Sequence, residues 1–311
     1  MCTAVSYQTD HHYFGRNLDL ERGYGERVVI TPRKFPLLFR YTKPLLAHYA
    51  MVGMAAVSKG YPLYFEATNE KGLSMAGLNF PDNAAYGEHA EGKENIAPFE
   101  LLPLLLGVCG SVCEVKRRLA GINIANCSFS DALPVSPLHW IIADREGCIT
   151  LECTKEGMRV YDNPFGVLTN NPPFPFHLSN TNRYMGLHEG AAVNALSEKI
   201  PLANHSLGFG AIGLPGDFSS ASRFVKAVFV KEKSVCDGGE SASVNQFFHI
   251  LGSVAMPRGC VLTAGGEYEY TRYSSCCNTD TGVYYYTTYD DFSVRRVSLY
   301  GVELDGKELY L

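Results

Sequence analysis

Alternating apolar and polar residues mark both ends of this chain, and helical spacing marks the stretches between them. Residues 2–7, Cys-Thr-Ala-Val-Ser-Tyr, read as a short strand, and the polar residues 8–12 read as a turn. Residues 13–19 return as a second strand that breaks at Asn17, so the chain opens on a predicted β-hairpin. Residues 27–31, 49–57, 63–67 and 73–78 give further strands, punctuated by Gly, Pro and Asn. Residues 97–119 predict a helix with an apolar face of Phe99, Leu101, Leu102, Leu105 and Leu106. Lys116, Arg117 and Arg118 sit in its last turn, where cations suit the helix dipole. Residues 137–143 and 148–153 predict a hairpin around Asp144-Arg145-Glu146-Gly147. Helices follow at 176–188, 219–232 and 243–255, then strands at 268–273, 282–289 and 294–300.

The order is strands, helices, strands, helices, strands. No regular β-α-β alternation appears, which argues against a doubly wound parallel sheet. The pattern predicts an α+β fold: two mostly antiparallel sheets with helices packed outside. No internal repeat, low-complexity tract or linker divides the chain, so a single domain over 1–311 is expected.

Composition narrows the function without choosing it. With 311 residues, 46% hydrophobic and 19% charged, the chain can bury a sizeable core. A net charge of -5 and a pI near 6.0 give no reason to expect nucleic acid or an anionic membrane surface as partner. The most apolar stretch, 96–112, is interrupted by Pro98, Glu100 and Pro103. It falls short of the roughly 18 apolar residues a membrane span needs. The N-terminus lacks a basic region followed by an apolar run, so a cytoplasmic protein is expected. Its ten cysteines show no regular spacing and no Cys-x-x-Cys pair, and Cys109 and Cys113 fall four apart in the predicted helix. Reduced thiols are the expectation. The nine histidines form no cluster with metal-ligand spacing, so no metal is expected.

The candidate chemistry lies at the N-terminus. Cys2 follows Met1 directly. Removing Met1 leaves a thiol and a free α-amine on one residue, a nucleophile and a base together. The amine has a reference pKa of about 7.7–8.0, the thiol about 8.5. A hairpin would lay Arg16 and Asp19 beside the start of the first strand. Arg16 there favours the thiolate, and Asp19 would hold a terminal ammonium. Spacing alone leaves a surface ion pair and a turn aspartate as alternatives. Asn79 and Asn170 each end an apolar run and, from the residues alone, read as turn asparagines. Arg223 reads as an arginine on a solvated helix face. Tyr284-Tyr285-Tyr286 reads as a strand with its side chains on alternate faces. Ser206-Leu207-Gly208-Phe209-Gly210-Ala211 lacks the strand and Lys of a phosphate loop and reads as a turn or strand segment.

Several blocks together resemble the choloylglycine hydrolase family of bile salt hydrolases and penicillin V acylases. They are Met-Cys-Thr, Phe14-Gly15-Arg16-Asn17-Leu18-Asp19, Asn69-Glu70-Lys71-Gly72-Leu73 and Ala76-Gly77-Leu78-Asn79-Phe80-Pro81. Leu138-His139-Trp140, Gly166-Val167-Leu168-Thr169-Asn170, Leu214-Pro215-Gly216-Asp217-Phe218 and Ala221-Ser222-Arg223-Phe224 continue them. Gly282-Val283-Tyr284-Tyr285-Tyr286 closes the series. The blocks are weak singly, but they run in the family's order along the whole chain. The resemblance implies the four-layer αββα sandwich of N-terminal nucleophile hydrolases, with the mature chain starting at Cys2. It implies hydrolysis of glycine- or taurine-conjugated bile acids through a thioester, with no cofactor. Penicillin V acylase and a silent ligand-binding homologue are the alternatives. The catalytic set it implies is Cys2, Arg16, Asp19, Asn79, Asn170 and Arg223. Asn170 would support the oxyanion or the terminal amine, and Asn171 beside it leaves open which of the two acts. Asn79 stands where bile salt hydrolases carry Asn and penicillin V acylases commonly carry Tyr. Leu18, Phe65, Phe129 and Leu133 match sterol contacts, and a homotetramer is implied as well.

Overall fold

The opening hairpin lies inside the molecule, with both of its strands covered on both faces. A computed structural model describes residues 1–311. Its strands are β1 (Cys2–Gln8), β2 (His12–Leu20), β3 (Arg27–Thr31), β4 (Met51–Ser58), β5 (Tyr61–Asn69), β6 (Ser74–Asn79), β7 (Glu94–Ile96) and β8 (Ile122–Ile124). There follow β9 (Leu138–Ala143), β10 (Cys148–Thr154), β11 (Gly157–Asp162), β12 (Val167–Leu168), β13 (Val261–Leu262), β14 (Tyr268–Asn278), β15 (Val283–Thr288) and β16 (Asp291–Ser298). The helices are α1 (Leu101–Val108), α2 (Val112–Leu119), α3 (Phe174–Thr181), α4 (Ser220–Lys233) and α5 (Glu240–Gly252).

One sheet runs β12-β1-β2-β14-β15-β16, with β13 paired to β14; the other runs β11-β10-β9-β6-β5-β4-β3. Every pairing in both sheets is antiparallel, and only the small β7-β8 pair is parallel. Side-chain parity shows how the layers stack. In the second sheet, Val52, Ala76 and Ile141 join the core that also holds Ala4, Phe14 and Leu18 of the first. Their neighbours Met51, Met75 and Ile142 point the other way, into a core with Leu101, Leu102 and Leu105 of α1. Helices α4 and α5 bring Phe224, Phe247 and Ile250 to the first sheet. The result is helix, sheet, sheet, helix, the αββα sandwich. Strands covered on both faces carry near-continuous apolar runs instead of clean alternation, as β4 does. No helix is long and apolar enough to cross a membrane.

The structure corrects several local expectations. Residues 97–119 form two helices, not one. A short 3-10 turn at Pro98–Glu100 leads into α1, and Cys109 then adopts an extended conformation. Ser111 caps α2 by accepting a bond from the Glu114 nitrogen, which starts a new helix where the old one stops. Cys113 therefore lies in α2 and Cys109 in the link before it. The second strand does not break at Asn17. The Asn17 amide is satisfied inside the fold, donating to Leu251 O at 2.9 Å and accepting from Ser274 Oγ at 2.7 Å. Residues 176–188 hold only the end of α3, then a 3-10 turn at Asn182–Tyr184. Of the turn or strand expected within 206–211, the structure forms a 3-10 turn at Phe209–Ala211. The edge strand β11 was not expected; it is short and largely exposed, so it buries little apolar surface. Tyr284 and Tyr285 do face opposite ways, their hydroxyls reaching Glu66 and Glu240.

Candidate active site

Strand pairing brings the candidate residues together. Cys2 opens β1 and is buried, facing Leu18 on β2. On its other side β1 pairs with β12, Ala4 facing Leu168. Two residues further along that register, Asn170 comes beside Cys2. The Cys2 nitrogen donates to Asn170 Oδ1 at 2.7 Å. Asn170 Nδ2 donates to Asn79 O at 2.7 Å, so both ends of this amide are committed. Asn171 instead donates to Pro81 O at 2.6 Å. Asn170 is the one that reaches Cys2.

The Thr169–Asn170 segment is fixed from several sides. The Asn170 nitrogen donates to Ser220 Oγ at 2.8 Å, docking the segment on the start of α4. His177 Nε2 lies 2.9 Å from Asn170 O, and His139 Nε2 lies 2.9 Å from Thr169 O. His139 Nδ1 meets Glu152 Oε1 at 3.1 Å, which also accepts from the Phe174 nitrogen at 2.9 Å. Phe80 stacks on His139 at 4.2 Å, and Phe224 on His177 at 4.8 Å. Burial lowers the His177 pKa to about 4, so this ring is neutral near pH 7.

Arg223 is not a solvated helix arginine. It lies in the first turn of α4 and is 1% exposed. Its Nη1 donates to Cys2 O at 2.5 Å and Thr3 Oγ1 at 2.6 Å. Its Nη2 donates to Asn170 Oδ1 at 2.8 Å, and its Nε to Phe218 O at 3.0 Å. Burial lowers its pKa, and the charges of Asp19 and Cys2 oppose that. Nor is Asp19 a surface turn residue. It is buried, accepts from Thr271 Oγ1 at 2.6 Å, and brings Oδ2 within 3.9 Å of Arg223. Its backbone pairs with Met1: Asp19 N donates to Met1 O at 3.0 Å, and the Met1 amine donates to Asp19 O at 2.8 Å. The Met1 amine also pairs with the Glu269 carboxylate.

Arg16 faces Ala4 across the hairpin and is fully buried. Its Nη1 donates to Gly77 O at 2.6 Å and Phe65 O at 3.0 Å, while Nη2 has no partner. Burial alone would lower its pKa, but Cys2, Tyr273, Glu66 and Asp19 raise it overall, so it stays cationic. Asn79 ends β6 opposite Leu138 and is half-buried. Its side-chain amide makes no hydrogen bond within the chain.

The four apolar candidates divide. Leu18 packs beside Cys2, and Phe65 lies next to the carbonyl that Arg16 holds. Phe129 sits in a separate aromatic cluster with Phe99 at 5.2 Å and Tyr61 at 6.0 Å. Leu133 is bonded to Ser130 in the same 127–136 segment. Neither is bonded to the Cys2 cluster. Sequence reasoning missed Glu66, Glu152, His177 and Thr271, which come from distant segments with no shared motif, and it assigned no role to Thr3 beside Cys2. His139 stands in the Leu-His-Trp block, where nothing local points to its bond with Thr169.

Similarity to known proteins follows the same lines. A family model described as linear amide C-N hydrolases, choloylglycine hydrolase family, matches residues 2–311. A bile salt hydrolase/transferase of Lactiplantibacillus plantarum is 52% identical over 309 residues, covering 99% of this chain and 95% of that protein. A bile salt hydrolase/transferase of Clostridium perfringens is 38% identical, covering 99% and 95%. The crystal structure of a mutant conjugated bile acid hydrolase from Clostridium perfringens superposes with a TM-score of 0.93 at 37% identity, covering 100% of this chain and 96% of that one. A penicillin V acylase from Agrobacterium tumefaciens shares the fold, with a TM-score of 0.79 at 16% identity, covering 99% and 90%.

Proposed function

The chain belongs to the choloylglycine hydrolase family of linear amide C–N hydrolases, and from that premise we propose that it cleaves the amide of glycine- or taurine-conjugated bile acids with Cys2 as nucleophile. The observation that carries the mechanism is the short bond between the Cys2 nitrogen and Asn170 Oδ1. Once Met1 is removed, that nitrogen is an α-amine. Asn170 then accepts one of its N–H bonds and orients its lone pair.

The amine takes the thiol proton, and the thiolate attacks the substrate carbonyl. Asn79, whose amide is uncommitted, donates to the developing oxyanion, a contribution on the order of 2.7–4 kcal/mol. The amine returns its proton to the leaving glycine or taurine nitrogen. Water, activated by the same amine, then hydrolyses the thioester. Arg16 and Arg223 keep the site cationic and favour the thiolate. Asp19 sets the position of Arg223, and Leu18 and Phe65 form part of the apolar wall for the sterol. Phe129 and Leu133, on the separate 127–136 segment, are proposed to meet the sterol away from Cys2.

Penicillin V acylase remains the nearest rival, and Asn79 in place of Tyr favours bile salts. The test compares glycocholate with penicillin V on Met1-free protein. Faster turnover of penicillin V would overturn the substrate assignment. We further propose a cytoplasmic homotetramer. Met185, Val193, Leu196, Ile200, Leu202 and Leu207 are all exposed within residues 185–207, apolar side chains that another copy of the chain could cover. Light scattering that gave a monomer would reject this.

A further inference from the structure

Glu66 has no place in the chemistry above, yet it is one of the most costly residues to bury here. It lies on β5 of the second sheet and is 2% exposed. Across the sandwich it accepts three hydroxyl bonds from the first sheet. Tyr273 donates to Oε2 at 2.6 Å; Ser275 and Tyr284 donate to Oε1 at 2.9 and 2.5 Å. Arg16 Nε stands 4.0 Å from Oε2. An isolated buried charge is strongly unfavourable, so a carboxyl in this setting has to be paired and hydrogen-bonded. All three hydroxyls are placed as donors, and a carboxylate is an acceptor at both oxygens. Burial pushes the Glu66 pKa up, while Arg16 and the three hydroxyls oppose it.

Arg16 on β2 is the only cation facing Glu66; the other titratable groups against it are Tyr273, Tyr284 and Cys277. On the hairpin, Cys2 pairs with Leu18 and Ala4 with Arg16, so Arg16 and Cys2 share one face; Arg223 bonds the Cys2 carbonyl, and Asp19 and the terminal amine are the other charges beside it. Arg16 is thus shared between the nucleophile and a buried counter-charge on the opposite sheet. Its Nη2 has no partner within the chain.

We propose that Glu66 is a positioning residue: by compensating Arg16 from below, it sets how much positive charge Cys2 feels and therefore how readily the thiol ionises. This rests on Cys2 being the nucleophile. It assigns Glu66 no contact with substrate.

The sign of the effect separates this role from simple scaffolding. Glu66→Gln keeps the shape and removes the negative charge, so Arg16 is left uncompensated. The thiolate is then favoured, and alkylation of Cys2 reaches half its limiting rate at a lower pH. The experiment follows iodoacetamide labelling of Cys2 by peptide mass across pH 4–9 on Met1-free protein, with a melting curve for each variant. A downward shift of about one pH unit is expected for Glu66→Gln. Tyr284→Phe removes one donor that favours the carboxylate, so the neutral carboxyl gains and Arg16 is compensated less; the midpoint should move the same way by less, and this variant covers the case in which Glu66→Gln fails to fold. An unchanged or raised midpoint in a folded variant overturns the proposal. The assay needs no bile salt. If wild-type Cys2 showed no preferential labelling, the nucleophile assignment itself would fall, which is a distinct result.

Discussion

Asn170 accepts two hydrogen bonds on one oxygen: from the Cys2 nitrogen at 2.7 Å and from Arg223 Nη2 at 2.8 Å. A carbonyl oxygen has two lone pairs, and both are used. This pairing ties the nitrogen proposed as base to the guanidinium proposed to hold the site. Asn170→Ala would strand both donors in a buried place. We expect kcat/KM for glycocholate to fall at least a hundredfold, about 2.7 kcal/mol. A loss under tenfold in a folded variant would remove Asn170 from the mechanism.

Met1 occupies the end of the hairpin ladder in this structure through Asp19. While it stays, the Cys2 nitrogen is a peptide nitrogen and cannot accept a proton. Intact-mass analysis of active enzyme should therefore show Met1 missing. Full turnover by protein that retains Met1 would end the amine-as-base account.

Cys2→Ser should lose more than nine-tenths of the rate, because a hydroxyl ionises far less readily than a thiol. The fold should survive, since serine is no larger. Iodoacetamide should inactivate the enzyme through Cys2. Burial raises the pKa of Cys109 to about 11 and of Cys148, Cys153 and Cys277 to about 12, which makes those thiols poor competitors. Cys113 and Cys260 are exposed and serve as the internal comparison. First labelling at either of them, with activity lost in step, would count against a thiolate at Cys2.

Asn79→Tyr should cut kcat/KM for glycocholate at least tenfold, about 1.4 kcal/mol. The melting temperature should move only a degree or two, since the Asn79 side chain makes no bond within the chain. Wild-type kcat/KM in this variant would make Asn79 a strand-end residue and nothing more.

Acid should weaken the fold through buried histidines. His12 and His177 are both lowered by burial to about 4. An unfolded chain protonates them near 6.5, so it binds more protons than the native state between pH 6.5 and 4. Their stabilisation is complete above pH 6.5 and is lost as pH falls towards 4. The loss between pH 7 and pH 5 is on the order of 2 kcal/mol for each. Denaturant titrations of wild type and His12→Gln at both pH values test this. The difference between the two pH values should shrink in the variant, and an equal difference would refute it.

What could be read from the chain depended on how local the cause was. The opening hairpin, the strand at 27–31 and the helix near 219–232 were visible because apolar spacing and caps lie within them. The break between α1 and α2 was hidden, because the apolar run continues past Leu106 and only Ser111 marks the new start. Asn17 looked like a strand breaker because its partners, Leu251 and Ser274, are more than 200 positions away. The same distance hides Glu66, whose three donors come from β14 and β15. Cys2, Arg16 and Asp19 were legible together since one hairpin carries them. The sequence alone did not show which neighbouring asparagine acts; the β1-β12 register brings Asn170 to Cys2.

Arg223 has the farthest-reaching consequence. One guanidinium joins the first turn of α4 to the main chain of Cys2, the hydroxyl of Thr3 and the amide of Asn170. Its bonds all go to groups that any substrate would find already in place, whereas the Asn79 amide is left free. The reacting centre is thus built into the frame of the molecule and cannot drift without loss of the fold. The side chains that meet the substrate carry no such duty. Directed evolution of this enzyme should therefore change what it accepts far more easily than how it reacts, with tolerated substitutions gathering around Phe65 and the 127–136 segment and sparing Arg223.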